Sequence, residues 1–394
     1  MLTVRLRRGC VALCTLALVP ALGLAQRSGG PNPFPGGANP DGSLRPTPPL
    51  TRLFTQDAYT EYAILEPGSE AFRIRFLPEE TRVGATELVN ATRGGSEGSD
   101  IEVYDPRSGK PLKFTYQDEG SDTHAIHAAL PIPVPEGGVG RVLIYKTYKD
   151  PRTYMMHGED IVWVRSLSGY RLGVLLPKGF SFLSSNVAAQ VTTTADGRLK
   201  LAFANPSGQG NPVTIHARRT SATFARRNDP DMFFDDVKTL YDLGAPETGS
   251  IKVDQTYSDY RKGEKAKLSA LEYLPLQDLK VVDLDTARVL APVKDGAATS
   301  VKLDVPIVDD RQSAHLQITG TLKDPAYKVV NGDLMFERTL HGLRNTVLLP
   351  AGWEVAAVSQ SGTLGMYEGR AFVALINLNA ENNYRVAIRA RRGQ

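Results

Sequence analysis

The chain reads YKDPRTYMMHGEDIVWVRSLSGYRLGVLLPKGF from Tyr148 to Phe180, and LKDPAYKVVNGDLMFERTLHGLRNTVLLPAGW from Leu322 to Trp353. Charged, glycine and proline positions are kept while most other letters change. Setting Arg165 on Arg338 also sets Leu167 on Leu340, Gly169 on Gly342, Leu176-Pro177 on Leu349-Pro350, Gly179 on Gly352 and Phe180 on Trp353, at a constant offset of 173. The same offset returns where Ala217-Arg218-Arg219 meets Ala390-Arg391-Arg392. Upstream, across small gaps, Asp150-Pro151 matches Asp324-Pro325, Leu130-Pro131-Ile132 matches Val305-Pro306-Ile307, and Ile101-Glu102-Val103 matches Leu279-Lys280-Val281. Tyr59 to Pro67 has an echo in Thr239 to Pro246. Self-similarity of this kind marks a tandem duplication.

Within each copy the apolar period is two. Phe72, Ile74 and Phe76 alternate with Arg73 and Arg75; Leu199, Leu201 and Phe203 alternate with Lys200 and Ala202; Tyr384, Val386 and Ile388 alternate with Arg385 and Ala387. Such runs are half-buried strands, and their recurrence between Gly, Pro, Asn and Asp residues predicts an all-β chain of two tandem β-sandwich, immunoglobulin-like repeats. One segment reads differently. Asp229-Pro230 precedes Met232, Phe233, Val237, Leu240 and Tyr241, and Gly244 follows. A capping acid, a first-turn proline, near-3.6 spacing and a glycine stop predict a short helix from about 230 to 243 at the junction.

The expected organisation is therefore a signal peptide over 1–25, a Pro/Gly-rich spacer over 26–50, repeat 1 over 51–219, a linker with the short helix over 220–243, and repeat 2 over 244–394. The signal rests on Arg5, Arg7 and Arg8 before the apolar run Gly9–Leu24, with small residues at Gly23 and Ala25. That run is shorter than the ~20 residues a spanning helix needs, so no stable membrane span is expected after cleavage. Both cysteines, Cys10 and Cys14, lie in the signal, which leaves the expected mature chain without a disulfide or thiol. The 46 basic and 43 acidic residues become equal once the three signal arginines are removed. A balanced surface argues against nucleic acid as partner.

Most shared letters have structural explanations. His157-Gly158 and Asn331-Gly332 read as hairpin turns. Arg165 and Arg338 each follow an aromatic residue by two positions and precede a leucine by two, so alternation puts both guanidinium groups on the apolar face. A cation there needs a partner, and Asp150 and Asp324 are the candidates for structural ion pairs, with an anion-binding role as the alternative.

Motifs for zinc peptidases, serine hydrolases, phosphate loops and dinucleotides are absent from the sequence, and no catalytic residue is assigned. His124 and His127, three apart on a strand, point to opposite faces. Asp229, Asp231 and Asp235 are candidate calcium ligands at the junction, against the plainer reading of acids favoured at a helix N-terminus. No other cofactor is expected.

HAIHAALPIPVPEGGVGRVLIYKTYKD (124–150) followed by GYRLGVLLPKGF (169–180) resembles the non-catalytic N-terminal β-domain of zinc aminopeptidases, in which an L-P strand, a Gly-rich turn and an aromatic-bearing strand recur. The resemblance covers the middle of each copy and implies a β-sandwich scaffold. It carries no active residue onto this chain, which lacks the catalytic helical domain and the zinc site.

These readings lead to the expectation of a secreted or periplasmic, non-enzymatic binding, adhesion or cell-envelope scaffold module whose partner is a protein or glycan of the envelope. The alternative is a hydrolytic enzyme or peptidase-associated subunit with a site between the repeats. That alternative requires His124, His127, Asp229, Asp231, Tyr154 and Tyr170 to gather in one cleft.

Overall fold

Alternating runs become strands because only paired edges satisfy the backbone while one face is buried. The computed structural model describes residues 58–92, 97–120, 123–167, 169–205, 211–224, 237–260, 275–295, 298–377 and 384–393, all within the unit Pro49–Gln394. The expected signal, the spacer and the aspartates Asp229, Asp231 and Asp235 lie outside the described residues. Among the described residues there is no α-helix, and therefore none long and apolar enough to cross a membrane.

The first copy holds β1 (Ala58–Ile64), β2 (Ala71–Glu80), β3 (Glu87–Ala91), β4 (Glu97–Tyr104), β5 (Phe114–Asp118), β6 (His124–Ala129), β7 (Gly140–Arg141), β8 (Leu143–Lys149), β9 (Tyr154–His157), β10 (Asp160–Leu167), β11 (Arg171–Leu175), β12 (Phe180–Ser185), β13 (Gln190–Thr193), β14 (Leu199–Ala204) and β15 (Asn211–Arg219). The second holds β16 (Val237–Leu243), β17 (Ser250–Asp259), β18 (Gln277–Asp283), β19 (Arg288–Leu290), β20 (Pro292–Asp295), β21 (Ala298–Val301), β22 (Ala314–Lys323), β23 (Lys328–Val330), β24 (Asp333–Leu340), β25 (Arg344–Leu348), β26 (Trp353–Val358), β27 (Thr363–Tyr367), β28 (Arg370–Ile376) and β29 (Tyr384–Arg392).

The first large sheet runs β13-β14-β11-β1-β2-β8-β4; the second, read from its far end, runs β27-β28-β25-β16-β17-β22-β18 and adds β19. The four-stranded sheets β12-β15-β10-β9 and β26-β29-β24-β23 match in the same way. In each copy one parallel pair, β1 with β11 and β16 with β25, interrupts otherwise antiparallel neighbours. The irregularities also match. Register shifts at Phe182/Ser184 and at Val355/Ala357, and a second set places Asp100 (φ 48°) and Asp278 (φ 52°) in left-handed conformations inside equivalent bulges.

Each large sheet packs on its four-stranded partner around one core. Trp163 and Phe180 anchor the first; Phe336 and Trp353 hold the same positions in the second. The indole changes strand between copies, so total ring volume is conserved while the packing differs. A smaller core under β3, β5 and β6 adjoins the first large sheet, and its counterpart in the second copy involves Val281, Leu290, Val301 and Ile318.

The expected junction helix is corrected. Val237–Leu243 is β16, a central strand of the second large sheet, paired with β17 and β25; 230–236 lie outside the described residues. Thr239, Tyr241 and Leu243 are buried in strict alternation. A window this short fits both periods, and pairing on two sides decides for the strand. The second copy therefore begins inside the segment assigned to the linker, and β16 takes the place of β1, as the Tyr59–Pro67 echo implied. The first hairpin turn also shifts: its loop is Gly158-Glu159, whereas the second is Asn331-Gly332.

Candidate functional site

Three sets of buried charge stand out. In the second core, Asp324 accepts the Ala326 backbone N–H (2.9 Å) on one oxygen and a hydrogen bond from Arg338 Nη1 (2.8 Å) on the other. In the first core, Asp150 is wholly buried and accepts from the Arg152 backbone N–H (3.0 Å) and Thr153 Oγ1 (2.9 Å). Arg165 stays 3.9 Å from it. Its guanidinium instead faces the rings of Tyr62, Phe72 and Tyr148, at 5.3, 5.2 and 5.6 Å from their centres, and Nη1 makes no hydrogen bond. In the second copy Tyr241 replaces Tyr62, while Ile251 and Leu322 replace Phe72 and Tyr148. Where rings surround the cation, their quadrupoles hold it; where they are aliphatic, the carboxylate does. Burial pushes the Tyr241 phenol up to about 12.

Lys146 shares the first core. Its ammonium donates to Asn90 Oδ1 at 2.6 Å and lies 5.0 Å from the Tyr148 ring centre and 6.0 Å from that of Phe76. Burial, and then the Arg165 charge, lower its pKa to about 7. Sequence reasoning missed Lys146, although the alternation Ile144, Lys146, Tyr148 in β8 marks it as core-facing.

The third set lies at the seam between copies. The two large sheets meet there on the faces turned from their cores, through Tyr59, Leu77, Leu143 and Ala202 of the first copy and Tyr260 and Leu343 of the second. The contact is pseudo-two-fold. Val139 N–H donates to the Leu284 carbonyl (2.8 Å), and Ser313 N–H, at the equivalent place, donates to the Pro106 carbonyl (2.6 Å), the equivalent of Leu284. Gly138 permits this approach, because a Cβ there would stand 2.5 Å from the Leu284 oxygen.

Buried charge at the seam is matched across it. Arg141 Nε donates to Asp285 at 2.6 Å, and Arg141 Nη1 donates to Ser313 Oγ at 2.8 Å. Burial pushes the Asp285 carboxyl up and the Arg141 charge pulls it back only in part. Arg107 reaches Asp283 (3.4 Å) and Asp304 (3.2 Å), and His315 Nε2 stands 3.4 Å from Glu79. On the seam face of the first copy, Lys200 pairs with Glu61 (2.7 Å) while Tyr59 donates to the same carboxylate (2.9 Å). Burial opposes the Glu61 charge, and Lys200 outweighs it to hold that pKa below the usual carboxylate value. A cleft of about 90 Å³ opens among Asp105, Arg107, Ile132, Arg141 and Asp285.

Of the residues required by the enzymatic alternative, Asp229 and Asp231 lie outside the described residues, and the four described ones occupy separate surroundings. His124 stacks on Tyr116 (5.1 Å), and His127 on the opposite face of β6 bridges Glu87 (3.2 Å) and Glu119 (2.9 Å). Tyr154 is buried in the first core, and Tyr170 lies under the Arg344 guanidinium at the seam. Among the described residues no group of three or more His, Cys, Asp or Glu side chains is arranged to hold a metal ion.

No protein-family model and no curated protein sequence matches the chain.

Proposed function

We propose that the chain is an exported, non-enzymatic binding or scaffold protein of the cell envelope, built from two tandem immunoglobulin-like sandwich repeats and recognising an envelope protein or glycan. The observation that carries this reading is the seam. Its buried Arg141 and His315 find Asp285 and Glu79 across the two copies, an arrangement that ties the two modules together and leaves their outer faces to partners. The resemblance to a non-catalytic peptidase β-domain points the same way. Calcium at Asp229, Asp231 and Asp235 is a candidate addition, to be read as a rise in melting temperature with calcium that a chelator reverses.

The test uses the full chain in two parallel assays. Stoichiometric retention on purified envelope glycan or on a defined envelope protein, with no turnover across a broad panel of peptide, ester and glycoside substrates, is the expected result. Turnover that disappears in Lys146→Met or Lys200→Met would overturn the reading.

A further inference from the structure

The outer faces of the two four-stranded sheets carry different charge on the same framework. In the first copy that face presents Val162, Val164, Pro212, Thr214 and His216, and Arg218 on β15 is closed by Asp160 in a bidentate pair at 2.7 and 2.7 Å. In the second copy Asp333 stands at the position of Asp160 and Arg391 at that of Arg218, while Arg389 replaces His216 and Arg385 replaces Pro212. Asp333 is now divided: Arg389 Nε lies 3.6 Å from it and Arg391 Nε 3.5 Å, both beyond a good hydrogen bond. Arg385 pairs with Glu337. Lys328, exposed on the neighbouring strand, adds a fourth cation, and Glu354, opposite Arg391 across β26, a third carboxylate. The side chains of Arg385, Arg389 and Arg391 are 75%, 45% and 64% exposed.

We propose that this arginine face on β29 binds a linear anionic polysaccharide through its carboxylate or sulfate groups; the inference rests on the reading of the chain as a binding module. The three arginines project from one side of a strand, so their roots are about 7 Å and about 14 Å apart. Binders of single-stranded nucleic acid add aromatic platforms on which the bases stack. Met335, Thr339, Ala387 and Ala357, uncharged residues beside the arginines on β24, β29 and β26, include no ring. An extended sugar chain that carries anions along its length can meet arginines rooted on one side of a strand, and each guanidinium fork takes a carboxylate or sulfate bidentately.

The experiment uses the full chain with polygalacturonate as the probe and neutral dextran as the control, at low and moderate salt. Polygalacturonate binding that weakens as salt rises, with none to dextran, is expected. Arg385→Ser/Arg389→Ser/Arg391→Ser should weaken it at least about tenfold, the sum of three exposed charge contacts. Arg218→Ser in the first copy should leave it unchanged, and Asp333→Asn should tighten it, because a competing carboxylate leaves. An unchanged triple variant, equal binding to dextran, or tighter binding to duplex DNA of equal charge would each overturn the proposal. Shortening of the polymer during incubation would overturn the non-enzymatic reading while leaving the binding face in place.

Discussion

Arg165 and Arg338 occupy one position in two copies of the same pair of sheets, and they solve the same problem differently. Arg338 hydrogen-bonds Asp324 at 2.8 Å, whereas Arg165 stays 3.9 Å from Asp150 among three aromatic rings. One step along the neighbouring strand the difference widens. The first copy has Lys146, and the second has Gly320, where a Cβ would meet the Gln277 carbonyl at 2.7 Å. A shared framework therefore does not impose a shared interior; the residues lining each core decide how a buried cation is held.

The largest effect tests which partner holds each arginine. Asp324→Ala leaves Arg338 buried without its carboxylate and should cost about 3–5 kcal/mol by denaturant titration. Asp150→Ala should cost about 2 kcal/mol, because the rings retain Arg165 and the losses are the turn and Thr153 hydrogen bonds. Equal costs would break the comparison, since Asp150 is the more deeply buried carboxylate.

Next come the glycines at close approaches. Gly320→Ala should cost about 1–3 kcal/mol by forcing β22 away from the Gln277 backbone, and Gly138→Ala a similar amount by parting the seam at Leu284. Hydrogen exchange separates the two: Gly320→Ala exposes amides in the second copy, while Gly138→Ala exposes those of Val139 and Ser313 on either side of the seam.

The last effect is a pH dependence confined to the first copy. The folded pKa of Lys146, about 7, lies below its unfolded value near 10.5. Between those values the unfolded chain binds more protons, so stability rises with pH. The gain should be about 2 kcal/mol from pH 7 to pH 9, and it should vanish in Lys146→Met, whose profile should follow the remaining groups alone. A profile unchanged by Lys146→Met would mean that the amine is solvated, and the contrast with Gly320 would lose its meaning.

How much was legible follows from the range of each interaction. The alternation at Phe72–Phe76 and the Asp-Pro and Leu-Pro positions place the strands, because they depend on neighbours in sequence. The Val237–Leu243 strand was misread as helix, because its apolar residues fit both periods until β17 and β25 flank it. Lys146 was legible in principle from its place between Ile144 and Tyr148, but its low pKa depends on its burial in the packed core and then on the Arg165 charge from the opposing sheet. The separation of His124 from His127 was read correctly from strand alternation; the Glu87 and Glu119 partners of His127 were not, since one comes from β3 and the other from beyond β5.

By itself the sequence determined that this chain is built of strands, that its pattern occurs twice, and that an arginine faces inward in each copy. Period and internal repetition are properties of the covalent order, and the backbone answers to them locally. Only the tertiary structure decided that the two large sheets meet back to back about a pseudo-two-fold seam, that Arg141 finds Asp285 there, and that Arg165 rests on rings while Arg338 rests on a carboxylate. These pairings join residues far apart in the chain, and burial makes their energies depend on what each packed neighbour offers.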